Sequence, residues 1–295
     1  MVEVALQAEI DRATWPQSLK EAVAYSLMAG GKRLRPMLVL LGCEACGTDP
    51  ARALPVACAI EMIHTYSLIH DDLPAMDDDD FRRGRPSNHR VFGEAMAILA
   101  GDCLLTLAFE TLGNSDFSDS ARVELMKVLA SAAGGSGMVG GQTLDIEAER
   151  RNGGSSEDSE VRSNLSTEKS VEQLNSIHKM KTGALITAAL ELGAICGNAV
   201  AEHRRLLRQY GEYIGLAFQI SDDLLDVTGD GVKLGKDTGR DVQLGKLTYP
   251  GIFGIAESHK KAANLVDSAC QVLLPLGTRG TWLQSLATFI VERDH

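Results

Sequence analysis

Aromatic side chains are scarce in this 295-residue chain, at 5%, although hydrophobic residues reach 44%. That scarcity, beside plentiful Ala, Leu, Glu and Lys, favours helix. A surplus of basic charge is also missing. The 29 Lys and Arg face 40 Asp and Glu, leaving a formal net charge of −11, so no broad basic field exists to neutralise a nucleic-acid backbone. Any anionic ligand must be met by local cations. No uninterrupted run of about 18 apolar residues occurs, and the opening MVEVALQAEIDRA lacks a basic segment followed by an apolar one. We therefore expect no membrane span and a cytoplasmic protein. The six cysteines, at 43, 46, 58, 103, 196 and 270, lack the density of a disulfide scaffold. Cys43 and Cys46 resemble half a zinc site without its second half and read better as buried small hydrophobes. No Ser/His/Asp or Cys/His arrangement stands out for nucleophilic catalysis.

What the chain does have is aspartate. Asp71, Asp72 and Asp77 to Asp80 crowd into the stretch HDDLPAMDDDDFRR. Pro74 predicts the end of the preceding helix, which puts Asp71 and Asp72 at its carbonyl end, where the dipole disfavours anions. Something cationic must offset that cost, and carboxylate oxygens sharing an ion with water and substrate phosphate are the usual way of holding Mg²⁺. A second cluster lies in FQISDDLLD, residues 218 to 226. On a helix Asp222, Asp223 and Asp226 fall within about one 100° arc. A solvated helix face more often places Lys or Arg at i+4; here another Asp stands there.

The cations are local, as the net charge requires. GGKRLRP, residues 30 to 36, sets Lys32, Arg33 and Arg35 beside Pro36, which is placed to open a helix, so the stretch reads as a phosphate or diphosphate cradle. His64 and Ser67 precede Asp71 at helical spacing, and His64 can donate to a phosphate. Arg82, Arg83 and Arg85 follow the first acids, and Lys179, Lys181 and Thr182 add further donors. Gly135, Gly137 and Gly140 match a dinucleotide fingerprint only superficially, because no strand precedes them. Close helix packing suits them better, with Gln142 and Asp145 facing a cavity. The spacing predicts helices over 3–29, broken at Trp15-Pro16, and over 52–70, 91–132, 174 onward and 201–227. Two or three more follow, with a polar, mobile loop at about 147–173. No strand, repeat or linker is evident. We expect one all-α domain over residues 1–295, a helical bundle with a central apolar cavity.

In this order the motifs resemble those of the trans-isoprenyl diphosphate synthases, most of all the bacterial-type farnesyl diphosphate synthases. The matching pieces are GGKRLRP, DDLPAMD at 71–77, RRG at 82–84, KTG at 181–183, FQISDDLLD, and LGK plus GKLTYP at 234–250. The resemblance implies an isoprenoid-synthase bundle, usually dimeric. It implies that Asp71, Asp72, Asp77, Asp222, Asp223 and Asp226 bind Mg²⁺, three ions once substrate is present, with Mn²⁺ able to substitute. It assigns Arg82, Lys181, Thr182, Gln219, Lys236 and Lys246 to an allylic diphosphate, and Lys32, Arg35, His64 and Arg83 to isopentenyl diphosphate. The implied reaction ionises the allylic ester; C4 of isopentenyl diphosphate attacks the cation, and the released diphosphate removes the C2 proton. Lys181 and the leading aspartates would be catalytic. Tyr66 and Ser67, lying below Asp71 on its helix, would set chain length, and an aromatic Tyr66 favours C15. The 150–172 segment looks long and the N-terminus short for this family. The alternatives are a C20 synthase, a class I terpene cyclase, a non-catalytic synthase subunit and a simple acidic cation-binding protein.

Overall fold

Proline sets the first boundaries. α1 (Val2–Arg12) ends before Trp15-Pro16 and α2 (Gln17–Leu27) begins directly after it, the break that pair predicts. The structure, a computed structural model, describes residues 1–153, 167–228 and 247–292. α3 (Leu34–Ala45) starts two residues ahead of Pro36, which is its third residue and not its first. Amides in the first helical turn have no intrahelical partner anyway, so a proline anywhere in that turn is tolerated and does not mark the start. A 3₁₀ turn, Pro50–Ala53, leads into α4 (Leu54–Asp71), which stops short of Pro74 as expected.

Residues 81 to 86 depart from the all-helical expectation. β1 (Phe81–Arg82) and β2 (Arg85–Pro86) pair antiparallel, Phe81 opposite Pro86 and Arg82 opposite Arg85. The two residues joining them have φ of 53° at Arg83 and 71° at Gly84. Two consecutive positive φ values suit a tight hairpin whose twist matches its strands. Strands this short carry no periodicity, so the sequence pattern is silent about them.

Helices then continue: α5 (Asn88–Phe92), α6 (Glu94–Gly113), α7 (Asp119–Ala133), α8 (Met138–Gly153) and α9 (Thr167–His178). A π-helical turn, Lys179–Gly183, joins α9 to α10 (Ala184–Cys196), and α11 (Ala201–Thr228) follows. α12 (Tyr249–Phe253), α13 (Ile255–Val272), a 3₁₀ turn (Leu274–Gly280) and α14 (Thr281–Glu292) complete the described chain. α8 and α9 correct the expected loop at 147–173: its two ends are helical, and 154–166 lie outside the described residues. Glu, Ala and Arg in EAERR are good helix formers despite their polarity, and Leu174 and Ile177 bury the inner face of α9.

The contacts divide the chain into two compact units, Met1–Lys127 with Leu192–Ala199, and Val128–Glu191 with Val200–His295. In the first, α4 is the central helix. Its buried residues, among them Val56, Ile60, Met62, Ile63, Tyr66 and Ile69, lie all round it, and α1, α2, α3 and α6 pack against it. α6 crosses α4 closely, because a Cβ at Gly101 would stand 2.1 Å from Nε2 of His70. By length and composition α6 could cross a membrane, with a mean hydropathy of 1.6 over 18 residues, although acids interrupt it. Its packing on α4 makes it a core helix.

In the second unit α11 is the long organiser. Leu206, Leu207, Tyr210, Ile214, Ala217, Ile220 and Leu224 form its buried stripe, and α13 and α14 pack along it. Tyr210, fully buried, donates to the carbonyl of Leu283 at 2.6 Å. The glycine-rich entry to α8 does serve close packing. A Cβ at Gly141 would meet the amide of Lys181 at 2.1 Å, and one at Gly140 would meet Met180 Cε at 2.7 Å.

Candidate active site

In the first unit the cations converge on α4. Arg83 lies in the hairpin turn, and its Nη1 donates to the carbonyl of Gly30. Its guanidinium covers Gly31, where a Cβ would come within 2.8 Å of Cζ. The φ of Gly31 is 121°, so both backbone and space demand glycine there. His64 shares this surroundings. Burial pushes its pKa well below the usual imidazole range, and the nearby charges of Arg35, Arg83, Arg82 and Arg33 push the same way. A neutral imidazole among arginines keeps one N–H to donate without adding to their repulsion. The arrangement thus brings His64 together with Arg35 and Arg83, three of the four residues expected around one diphosphate.

Arg33 does not join them. Its guanidinium turns away to Glu3 and Glu61, so the expected group of three neighbouring cations is reduced to Lys32 and Arg35.

The first acidic cluster divides by environment. Asp72 is buried and accepts from Arg82 Nε at 2.6 Å, while Asp79 stands 3.5 Å from Arg82 Nη2. Asp71, the last residue of α4, and Asp77 are half-buried. The chain folds back so that the amide of Asp77 donates to the carbonyl of Asp71 at 2.8 Å. Five residues earlier on the helix, Tyr66 is 7% exposed and meets the His70 ring edge-on at 5.8 Å between centroids. Ser67 donates its hydroxyl to the carbonyl of His64 at 2.9 Å.

In the second unit the π turn carries Lys181 and Thr182. π turns recur at functional positions because the extra residue re-aims side chains. Lys181 Nζ lies 2.6 Å from Asp145 Oδ2 on α8. Thr182 donates to Gln219 Oε1 at 2.8 Å, and Gln219 Nε2 donates to Asp223 Oδ1 at 2.9 Å. The other Asp223 oxygen accepts from the amide of Tyr249 at 3.0 Å. His178 lies 3.8 Å from that oxygen and stacks on Tyr249, and burial pushes its pKa down to about 4, so it is neutral at neutral pH. Asp223 is thus buried with both oxygens engaged, whereas Asp222 and Asp226 are half-buried. Asp223→Asn puts an N–H₂ against one of these donors and is expected to destabilise the protein by about 2 kcal/mol, measured by urea unfolding. Lys236 and Lys246 lie outside the described residues.

Sequence reasoning gave no role to Glu3, Glu61 or His178, and it named Asp145 without a partner. Glu61 had a signal, being the one acid within the apolar helix that leads to His64.

These pieces define a predominantly helical protein whose acidic and basic motifs suit diphosphate esters. The chain belongs to the polyprenyl synthetase family, matched over residues 16–271. It is 46% identical over 297 residues to a farnesyl diphosphate synthase of Geobacillus stearothermophilus, covering 100% of this chain and 95% of that one. It is 43% identical to a geranylgeranyl diphosphate synthase of Cyanophora paradoxa, covering 100% and 94%. A solved apo structure of an FPP/GFPP synthase from Zymomonas mobilis superposes with a TM-score of 0.82 over 98% of this chain and 94% of that one, at 38% identity. The fold is the isoprenoid-synthase type, and the enzyme is a trans-prenyltransferase.

Proposed function

We propose that the enzyme condenses isopentenyl diphosphate with dimethylallyl and then geranyl diphosphate to give (2E,6E)-farnesyl diphosphate. The observation that carries the C15 reading is Tyr66, buried on α4 about 7.5 Å below Asp71 at 1.5 Å per residue. A chain growing down that helix meets its ring. Relatives named for C15 and for C20 products resemble this chain almost equally, so a C20 synthase is the second reading. The test supplies isopentenyl diphosphate, Mg²⁺ and, separately, dimethylallyl, geranyl and farnesyl diphosphates, then resolves the dephosphorylated alcohols. C15 from both shorter primers, with farnesyl diphosphate unused, supports the reading; mainly C20 overturns it.

Lys32, Arg35, His64 and Arg83 are the proposed holders of the isopentenyl diphosphate. Arg82, Lys181, Thr182, Gln219, Lys236 and Lys246 are those of the allylic diphosphate. Asp71, Asp72 and Asp77 of the first unit, and Asp222, Asp223 and Asp226 of the second, are the proposed metal ligands; Arg82 holds Asp72, and Tyr249 and Gln219 hold Asp223. Among the described residues no group of three or more His, Cys, Asp or Glu could hold a metal ion alone. Hard carboxylate oxygens completed by substrate phosphates nevertheless fit Mg²⁺, which seldom has an all-protein cage. Mg²⁺ held by these carboxylates would supply charge neutralisation for the leaving diphosphate. The cations orient each ester, and apolar walls keep water from the allylic cation until C4 of isopentenyl diphosphate attacks. The released diphosphate takes the C2 proton, so no side-chain base is required. The family match runs through both compact units, which supports their acting as one synthase domain. All six cysteines are free, in keeping with a reducing cytoplasm.

A homodimer formed through α6 belongs to this proposal. α6 is mostly apolar, yet only 44% of its 18-residue apolar window is buried, with Ile98 and Leu99 about half exposed. Leu99, Met96 and Cys103 line an apolar groove with Trp15 and Leu19. A twofold contact places each substitution twice, so Leu99→Glu sets like charges near one another across it. Sedimentation velocity is expected to show the wild type as a dimer and Leu99→Glu as a monomer.

A further inference from the structure

Arg33 sits between two residues assigned to the isopentenyl diphosphate, yet its side chain takes no part in that cradle. Its backbone has φ 46°, a left-handed conformation unfavourable for any residue with a Cβ, at the start of α3. The guanidinium has the contacts to hold it there. Nε and Nη2 donate to the two oxygens of Glu3 at 2.7 and 3.2 Å, Nη1 to Glu61 at 2.6 Å, and Nη2 also to the carbonyl of Leu27 at 2.6 Å. The three anchors belong to α1, α4 and the end of α2. Burial works against the Arg33 charge, and the bonds to the two carboxylates more than restore it. Glu61 lies one helical turn ahead of His64, so the same helix that fixes Arg33 presents the imidazole of the cradle. Two residues before Arg33, Gly31 forms the surface on which the Arg83 guanidinium rests. A lysine, with a point charge and no planar fork, cannot join three anchors in this way.

We propose that Arg33 is a positioning residue, locking the 31–35 segment through Glu3 and Glu61 so that Lys32, Arg35 and Arg83 hold the geometry that binds isopentenyl diphosphate. The inference rests on the assignment of that cradle. It gives α1 a part in substrate affinity, although α1 supplies none of the proposed ligands. Glu3 is about half exposed, so Glu3→Gln removes its charge without emptying a buried site.

The test uses the full-length enzyme and isopentenyl diphosphate as the probe. Its Kd is measured by calorimetry without allylic substrate, alongside both KM values, kcat and the thermal midpoint. Glu3→Gln is expected to raise the Kd and KM for isopentenyl diphosphate about fivefold, and Arg33→Lys about tenfold, with kcat and the allylic KM within about twofold of wild type. The double variant is expected to bind no worse than Arg33→Lys, because Glu3 acts through Arg33. An unchanged isopentenyl Kd in both single variants overturns the proposal, as does a parallel rise of both KM values with a collapsed thermal midpoint. Lys32→Ala and Arg35→Ala separate the two levels. If they weaken the isopentenyl Kd while Glu3→Gln and Arg33→Lys do not, the Arg33 inference alone fails; if they leave it unchanged, the cradle assignment fails with it.

Discussion

Replacing Asp71 with asparagine is expected to lower kcat for condensation by about 10³-fold while leaving the protein as stable as before or slightly more so. Asp71 is the final residue of α4, where the helix dipole disfavours a carboxylate by about 0.5 kcal/mol. Neutralising it relieves that cost and removes one proposed metal ligand. Asparagine keeps the shape and the backbone carbonyl that accepts from Asp77. Asp72→Asn is the contrasting case: it leaves Arg82 without its buried counter-charge, so stability falls along with activity. Steady-state kinetics and thermal unfolding on the two variants separate these outcomes. An Asp71→Asn enzyme within threefold of wild-type kcat would remove that residue from the chemistry.

Tyr66→Ala is expected to move the main product from C15 to C20. The ring is buried on the helix that ends at Asp71, and an aromatic side chain fills 150–250 Å² of contact that alanine leaves open. Truncation in a packed helix also costs about 3 kcal/mol, so Tyr66→Leu serves as a milder companion with a smaller lengthening. Ser67 points its hydroxyl back to the His64 carbonyl, which leaves Tyr66 as the residue of this pair that can obstruct a growing chain. Chromatography of the dephosphorylated products reads the shift, and an unchanged C15 product from a folded Tyr66→Ala enzyme contradicts the ruler.

Much of the helical order was legible because local rules govern it. Trp15-Pro16 and Pro74 end helices through ring geometry, and the apolar spacing of 201–227 foreshadows α11 almost to its ends. The acidic and basic motifs were legible as residue types. Their partners were not, because those depend on residues far apart in the chain. Arg33 is satisfied by Glu3 and Glu61, 30 and 28 positions away, and Asp223 by the amide of Tyr249, 26 positions on. The hairpin at Arg83 escaped because two-residue strands show no alternation. The ends of the 147–173 segment escaped because composition said polar while propensity said helix.

The proposed site holds the allylic diphosphate through bound metal as well as Arg82, Lys181 and their neighbours, and the isopentenyl diphosphate through fixed cations alone; binding with and without metal measures the difference directly. Calorimetry with unreactive dimethylallyl thiolodiphosphate and with isopentenyl diphosphate is run in Mg²⁺ and again in EDTA. The allylic analogue is expected to weaken by about 100-fold or more in EDTA, while isopentenyl diphosphate changes by less than about threefold. An allylic analogue that binds equally well without Mg²⁺, or an isopentenyl diphosphate that requires it, would contradict the account.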